Sequence, residues 1–111
     1  MIRSTLTAIT RLARAGALEQ AWGLFQGSGY DPLPDDADVL TVYGRLLKDR
    51  AAQASGPARE ELLNQAIAAY TRASGLSRAT YPLINAATLA YLSGRRDQAA
   101  TLARQTIALL D

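Results

Sequence analysis

Leu40-Thr41-Val42-Tyr43-Gly44-Arg45-Leu46-Leu47 and Ala66-Ile67-Ala68-Ala69-Tyr70-Thr71-Arg72-Ala73 are the two stretches that decide the fold. In the first, Leu40, Tyr43 and Leu47 recur at i, i+3 and i+7, with Ala51 one turn further on; in the second, Ala66, Tyr70 and Ala73 recur at i, i+4 and i+7. Each is the spacing of one buried stripe on an α-helix. An alanine followed one turn later by another core-sized residue also occurs at Ala21–Phe25 and Ala99–Ala103. Glycine stands five residues ahead of two of these alanines, Gly16 before Ala21 and Gly94 before Ala99. A small–turn–large pattern that returns along a chain is how stacked helical hairpins are written in sequence.

Outward from this pair the chain reads as six helices. Ser4 or Thr5 can cap a first helix with the stripe Leu6, Ile9, Leu12, Ala13, stopped by Gly16. Leu18, Ala21, Trp22 and Phe25 carry a second helix that ends near Gly27-Ser28-Gly29. Tyr30-Asp31-Pro32-Leu33-Pro34 is a loop, after which Asp35 or Asp36 caps the third helix and Asp38 adds charge to its positive end. That helix fades by Ser55-Gly56, and Pro57 suits the opening turn of a fourth with the stripe Leu62, Leu63, Ala66, Ile67, Tyr70, Ala73. A turn is expected at Gly75 to Arg78. Thr80 then caps a fifth helix holding Pro82, Leu83, Ala86, Ala87 and Ala90, and the sixth carries Ala99, Leu102, Ala103 and Ile107 after the break at Ser93-Gly94.

The expected architecture is all-α: a right-handed stack of three antiparallel hairpins, about 2–29, 35–75 and 80–110, in one domain spanning 1–111. Ala66 and Ala99 are 33 residues apart, whereas Ala21 and Ala66 are 45 apart. The excess predicts an insertion that lengthens both arms of the second hairpin, with its tip, Ala54 to Arg59, projecting beyond the stack.

Composition narrows the chemistry. The chain has 111 residues, 49% hydrophobic and 6% aromatic, with neither cysteine nor histidine. Thiol nucleophiles, imidazole bases, disulfides and the common zinc sites are therefore excluded. The aspartates at 31, 35, 36 and 38 do not follow the alternation of a calcium loop. Glu60 and Glu61 diverge by about 100° on a helix and cannot share a substrate. With no glycine-rich phosphate loop either, no enzyme activity, metal or cofactor is expected. The net charge is only +2, Lys48 is the sole lysine, and the alanine and arginine bias fits a GC-rich bacterial genome. Arg11 and Arg14 interrupt the apolar run that a secretory signal requires, and no stretch approaches the ~18 apolar residues of a membrane span. A cytoplasmic protein without membrane contact is expected, and so small a charge disfavours nucleic acid as partner.

The spacing resembles the tetratricopeptide repeat. That family sets a large residue, then Leu and Gly, on the first helix of each hairpin, and Ala, an aromatic and Ala on the second. Here the second repeat matches through Leu40, Tyr43, Gly44 and Leu47 with Ala66, Tyr70 and Ala73. The first matches through Gly16, Ala21 and Phe25, and the third through Ala87, Gly94 and Ala99. The first helices lack the signature tryptophan, Trp22 standing on a second helix, and Ala103 replaces an aromatic. A narrower likeness, Tyr81-Pro82-Leu83-Ile84-Asn85-Ala86-Ala87-Thr88-Leu89 followed by Gly94, is similar to the TRAF-binding regulatory region of MAP kinase kinase kinases and its bacterial relatives.

What the resemblance implies is a non-enzymatic scaffold that holds a protein or peptide in the concave groove of its first helices. Carried onto this chain, the groove positions are Arg3, Thr7, Thr10 and Arg14 in the first repeat. They continue as Asp38, Thr41, Arg45 and Lys48 in the second and Tyr81, Asn85, Thr88 and Tyr91 in the third. Arginines and amphipathic aromatics suit a peptide of acidic character. The lysine/asparagine clamp of chaperone-tail binders is missing, since Leu6, Thr10 and Val42 occupy those places. The terminal helix is expected to leave Leu102 and Leu109 exposed, which makes a homodimer through that helix, or a structural module, the alternative, with an RNA-binding helical repeat a less favoured one.

Overall fold

The apolar stripes become six helices in a computed structural model of the chain. It describes residues 2–30, 32–77 and 80–110, without the side chains of Ile2, Arg3, Ser77, Thr80, Tyr81, Leu109 and Leu110. In order they are α1 (Ile2–Arg14), α2 (Leu18–Gln26), α3 (Ala37–Ala52), α4 (Gly56–Ser77), α5 (Thr80–Leu92) and α6 (Arg96–Leu110). Consecutive pairs pack as hairpins, α3 lies against α1 and α2, and α5 lies against α4. With 16 and 22 residues, α3 and α4 are the longest helices, so the middle hairpin is the elongated one.

The two glycines set five residues ahead of an alanine do the same work. Gly16 and Gly94 adopt φ of +82° and +81°. At the first, the amide of Ala17 donates to the Leu12 carbonyl at 2.9 Å and that of Gly16 to Ala13 at 3.1 Å. At the second, Arg95 donates to Ala90 at 2.8 Å and Gly94 to Tyr91 at 3.1 Å. This is the Schellman pair of bonds, which satisfies the last carbonyls of a helix and needs a residue without a Cβ at its left-handed position. Each turn ends with an alanine amide, Ala21 or Ala99, bonded at 2.9 Å to the carbonyl of the residue just before the next helix, Ala17 or Arg95.

Several boundaries differ from the sequence reading. Ser4 and Thr5 lie inside α1, because no glycine or proline interrupts the run back to Ile2. α4 continues through Gly75 to Ser77, since Gly75 does not take the positive φ that would end it. Thr80 is the first residue of α5 rather than a cap preceding it. The tip of the middle hairpin shrinks to residues 53–55, and Arg59 stands on α4.

Two cores share α3 as a wall. On one side Val39 and Leu46 join Leu6, Ile9, Ala13, Ala21, Phe25 and Tyr30. On the other Leu47 and Ala51 join Leu63, Ala66, Ile67 and Tyr70 of α4, the buried residues of α5, and Ala99 and Leu102 of α6. On α6 the buried stripe is Ala99, Leu102 and Thr106, while Ala103 and Ile107 are exposed. Leu102, expected at the surface, is thus a core residue, and Leu109 lies outside the described side chains.

α3 and α4 approach closely at Gly44. A Cβ built at Gly44 would stand 3.1 Å from three atoms of the Tyr70 ring, and Tyr70 is only 1% exposed. Gly44→Ala is expected to destabilise by about 1 kcal/mol net, overpacking of about 1–3 kcal/mol being offset by roughly 1 kcal/mol of helix propensity. Gly23→Ala, in open space on α2, should instead stabilise by roughly 0.5–1 kcal/mol. Urea unfolding of both variants checks the contrast; a gain at both would mean that the Tyr70 ring has room to move.

Candidate functional site

The groove between α1 and α3 is built from how each helix starts and which residues its polar face repeats. Asp36 fixes the start of α3: its Oδ1 accepts the Val39 amide at 3.0 Å, filling one of the orphan donors of a helix N-terminus. Asp38 then falls in the first turn, where a carboxylate meets the positive end of the helix dipole. On α1, Thr7, Thr10, Arg11 and Arg14 follow one another at i+3 and i+4 along a single face. Where the two faces meet they enclose a depression of about 530 Å³, lined by Leu6, Thr7, Thr10, Arg11, Arg14, Asp38, Thr41 and Val42.

The polar groups here are partly committed. Thr41 donates its hydroxyl to the Ala37 carbonyl at 2.7 Å, so its oxygen remains as an acceptor only. Thr7 and Asp38 are already engaged within the chain. Arg11 and Arg14 are exposed and form no ion pair among the described residues. Two uncommitted guanidiniums against one engaged carboxylate give this groove a positive character.

Five of the twelve expected positions, Thr7, Thr10, Arg14, Asp38 and Thr41, therefore come together, and Arg11 joins them. Arg11 interrupts the apolar run of the N-terminal segment, and its place four residues after Thr7 and three before Arg14 marks the same face. The others stand elsewhere. Arg45 reaches along its own helix to Asp49 at 3.8 Å. Lys48 borders a small cavity of about 140 Å³ together with Arg59, Leu63, Leu89 and Leu92. Asn85 is half-buried on α5 and engaged within the chain. Thr88 and Tyr91 line a depression of about 490 Å³ between α5 and α6. The side chains of Arg3 and Tyr81 lie outside the described residues.

A family model described as Tetratricopeptide Repeats-Sensor matches residues 4–90. The chain belongs to that family. Repeats of this kind generally mediate protein–protein contact and are generally non-catalytic. Among curated proteins, none matches the chain. No described helix is long and apolar enough to cross a membrane.

In this Tetratricopeptide Repeats-Sensor chain, the displaced tryptophan ties the first hairpin to the second. The rings of Trp22, Phe25 and Tyr43 run nearly parallel, with centroids 5.3–6.4 Å apart and interplanar angles of 14–21°. The Tyr30 ring stands 5.0 Å from Phe25. With Gln26, Pro32 and Leu33 these rings line a further depression of about 440 Å³. The only sequence trace of it was the i, i+3 pairing of Trp22 with Phe25. Arg50 lies over the Trp22 ring: its guanidinium carbon is 4.5 Å from the ring centroid, and its Nη1 is 3.8 Å from Glu19 Oε1.

Glu19 is well exposed, so its pairing with Arg50 adds little, whereas the cation–π contact is worth about 0.5–1 kcal/mol at such a site. Arg50→Gln is therefore expected to lower stability by about that amount and to change the emission of Trp22, the only tryptophan in the chain. Glu19→Gln should leave both nearly unchanged. Equal effects of the two substitutions would assign the stabilisation to the ion pair.

Proposed function

We propose that this chain is a non-enzymatic interaction module that binds an acidic peptide segment along its first helices. The observation that carries the reading is the α1–α3 groove, in which Arg11 and Arg14 stand free of ion pairs among the described residues beside Thr10 and the acceptor oxygen of Thr41. Two guanidiniums about one helical turn apart can each take a carboxylate through paired N–H donors. The apolar floor of Leu6 and Val42 can hold a side chain between them. A longer peptide would run on past Arg45 and Lys48 toward α5, while Thr88 and Tyr91 face a separate depression between α5 and α6.

Two further parts of the reading rest on sequence. The likeness of residues 81–89 to the TRAF-binding regulatory region of MAP kinase kinase kinases and its bacterial relatives supports a regulatory role for the scaffold. The arginine-rich, nearly lysine-free composition supports a bacterial, cytoplasmic setting.

The test is an array of short peptides graded in glutamate and aspartate content, read by fluorescence anisotropy at several salt concentrations. Binding is expected to rise with acidity and to weaken with salt. The Arg11→Glu, Arg14→Glu double variant is expected to lose about tenfold in affinity or more with an unchanged far-UV spectrum. Acidic peptides that bind the double variant as well as the parent would remove the groove from the function.

A further inference from the structure

The face that α5 and α6 turn away from the core is apolar, and no described helix covers it. Ala87, Thr88, Tyr91 and Leu92 of α5 face Ala99, Ala100 and Ala103 of α6 across the depression of about 490 Å³, with Arg96 at one end. Tyr91 is 65% exposed and Leu92 73%. Ile84, two turns before Tyr91, and Ile107, one turn after Ala103, extend the same strip at 48% and 59% exposure. Four of the six large hydrophobic residues exposed among the described ones thus belong to this one hairpin. Apolar side chains gathered so closely mark an interaction surface rather than ordinary scatter.

The fold itself says what shape of object fits there. The first hairpin is covered by the helix α3, and the second by the helix α5, which seals Leu47, Ala51, Leu63, Ile67 and Tyr70 into a common core. The depression on the third hairpin lies between α5 and α6, with Ala87, Ala99, Ala100 and Ala103 leaving room beside the larger Tyr91 and Leu92. A helix is therefore the occupant for which the position is built. The family match ends at residue 90, so the α6 half of the groove lies beyond the matched span.

Charge decides which helix. α5 carries no charged residue, and α6 carries Arg96 and Arg104 against the single Asp97. Arg95, next to them, is already tied to Glu60 at 2.8 Å, whereas Arg96 and Arg104 form no ion pair among the described residues. A second copy is a poor occupant: a two-fold axis near Ala100 would bring Arg96 of one copy beside Arg104 of the other. We infer that the α5–α6 groove docks an amphipathic helix of a protein partner, its apolar stripe on the alanines and its flanking carboxylates on Arg96 and Arg104. This is a surface separate from the α1–α3 groove.

The probe is a labelled synthetic helix with Leu and Ala at the spacing of Leu83, Ala86, Leu89 and Ala90 and glutamates at the flanking positions. A lysine-flanked version serves as control, and both are titrated against the whole chain by anisotropy. The glutamate probe is expected to bind about tenfold more tightly than the lysine probe. Ala103→Glu should abolish that binding without changing the thermal midpoint, because Ala103 is exposed. The Arg96→Glu, Arg104→Glu variant should reverse the preference between the probes, while Arg11→Glu, Arg14→Glu should leave it alone. Equal binding of both probes, no binding of either, or a glutamate preference that survives the charge reversal would overturn the proposal. So would light scattering that finds a dimer of the parent chain that Ala103→Glu dissolves, since the occupant would then be a second copy.

Discussion

Nothing stands between the ring of Tyr70 and the backbone of Gly44, and the rest of the stack takes its position from that contact. With no Cβ at residue 44, α4 can press an aromatic face onto α3 at a distance a larger residue would forbid. The long helices then stay parallel enough for Leu47, Ala51, Leu63, Ala66 and Ile67 to close around the ring. Both outer hairpins use this pair as their platform. α1 and α2 lean on one side of α3, and α5 leans on α4. A methyl group at residue 44 would require the Tyr70 ring to give by a few tenths of an ångström inside this core.

The polar contacts between elements are few among the described residues and play a different part. Arg72 of α4 holds Asp35 in the loop before α3, Arg95 holds Glu60 at the start of α4, and Arg50 covers Trp22. Each secures a loop or an edge, and all but Arg50 lie at chain reversals. They set how neighbouring hairpins align, while apolar burial supplies most of the adhesion. Of the arginines without such duties, Arg11 and Arg14 line the first groove and Arg96 the second, with Arg104 two turns beyond Arg96 on the same helix.

The hairpins were legible because glycine spacing and alanine periodicity are local signals. Gly16 and Gly94 marked two helix ends, which the structure closes with the same Schellman bonds, and Asp35 or Asp36 marked the start of α3, where Asp36 is the cap. The face of α6 was not legible. Ala99-Leu102-Thr106 and Ala99-Ala103-Ile107 are both acceptable stripes, and alanine fits a core or a surface equally well. Only the position of α5 decides between them. The same limit applies to the site. Thr7, Thr10 and Arg14 meet Asp38 and Thr41 because α1 and α3 are neighbours, which the hairpin pattern implies. Thr88 and Tyr91 stand apart because α5 packs on α4 and α6, a matter of stacking that no local spacing records. Trp22, missing from its family position, has meaning only once Tyr43 and Arg50 are beside it.

A helix that walls off two cores also divides the molecule's cooperativity. The amides of α1 and α2 are protected by a small core whose contact with the remainder passes through Val39, Leu46 and the aromatic stack. Those of α3 to α6 draw on the larger core. Native-state hydrogen exchange would accordingly separate into two populations, the first hairpin opening at a lower free energy while the other four helices remain closed. In such a molecule the α1–α3 groove is an opening edge, and whatever fills it fastens the first hairpin to the rest.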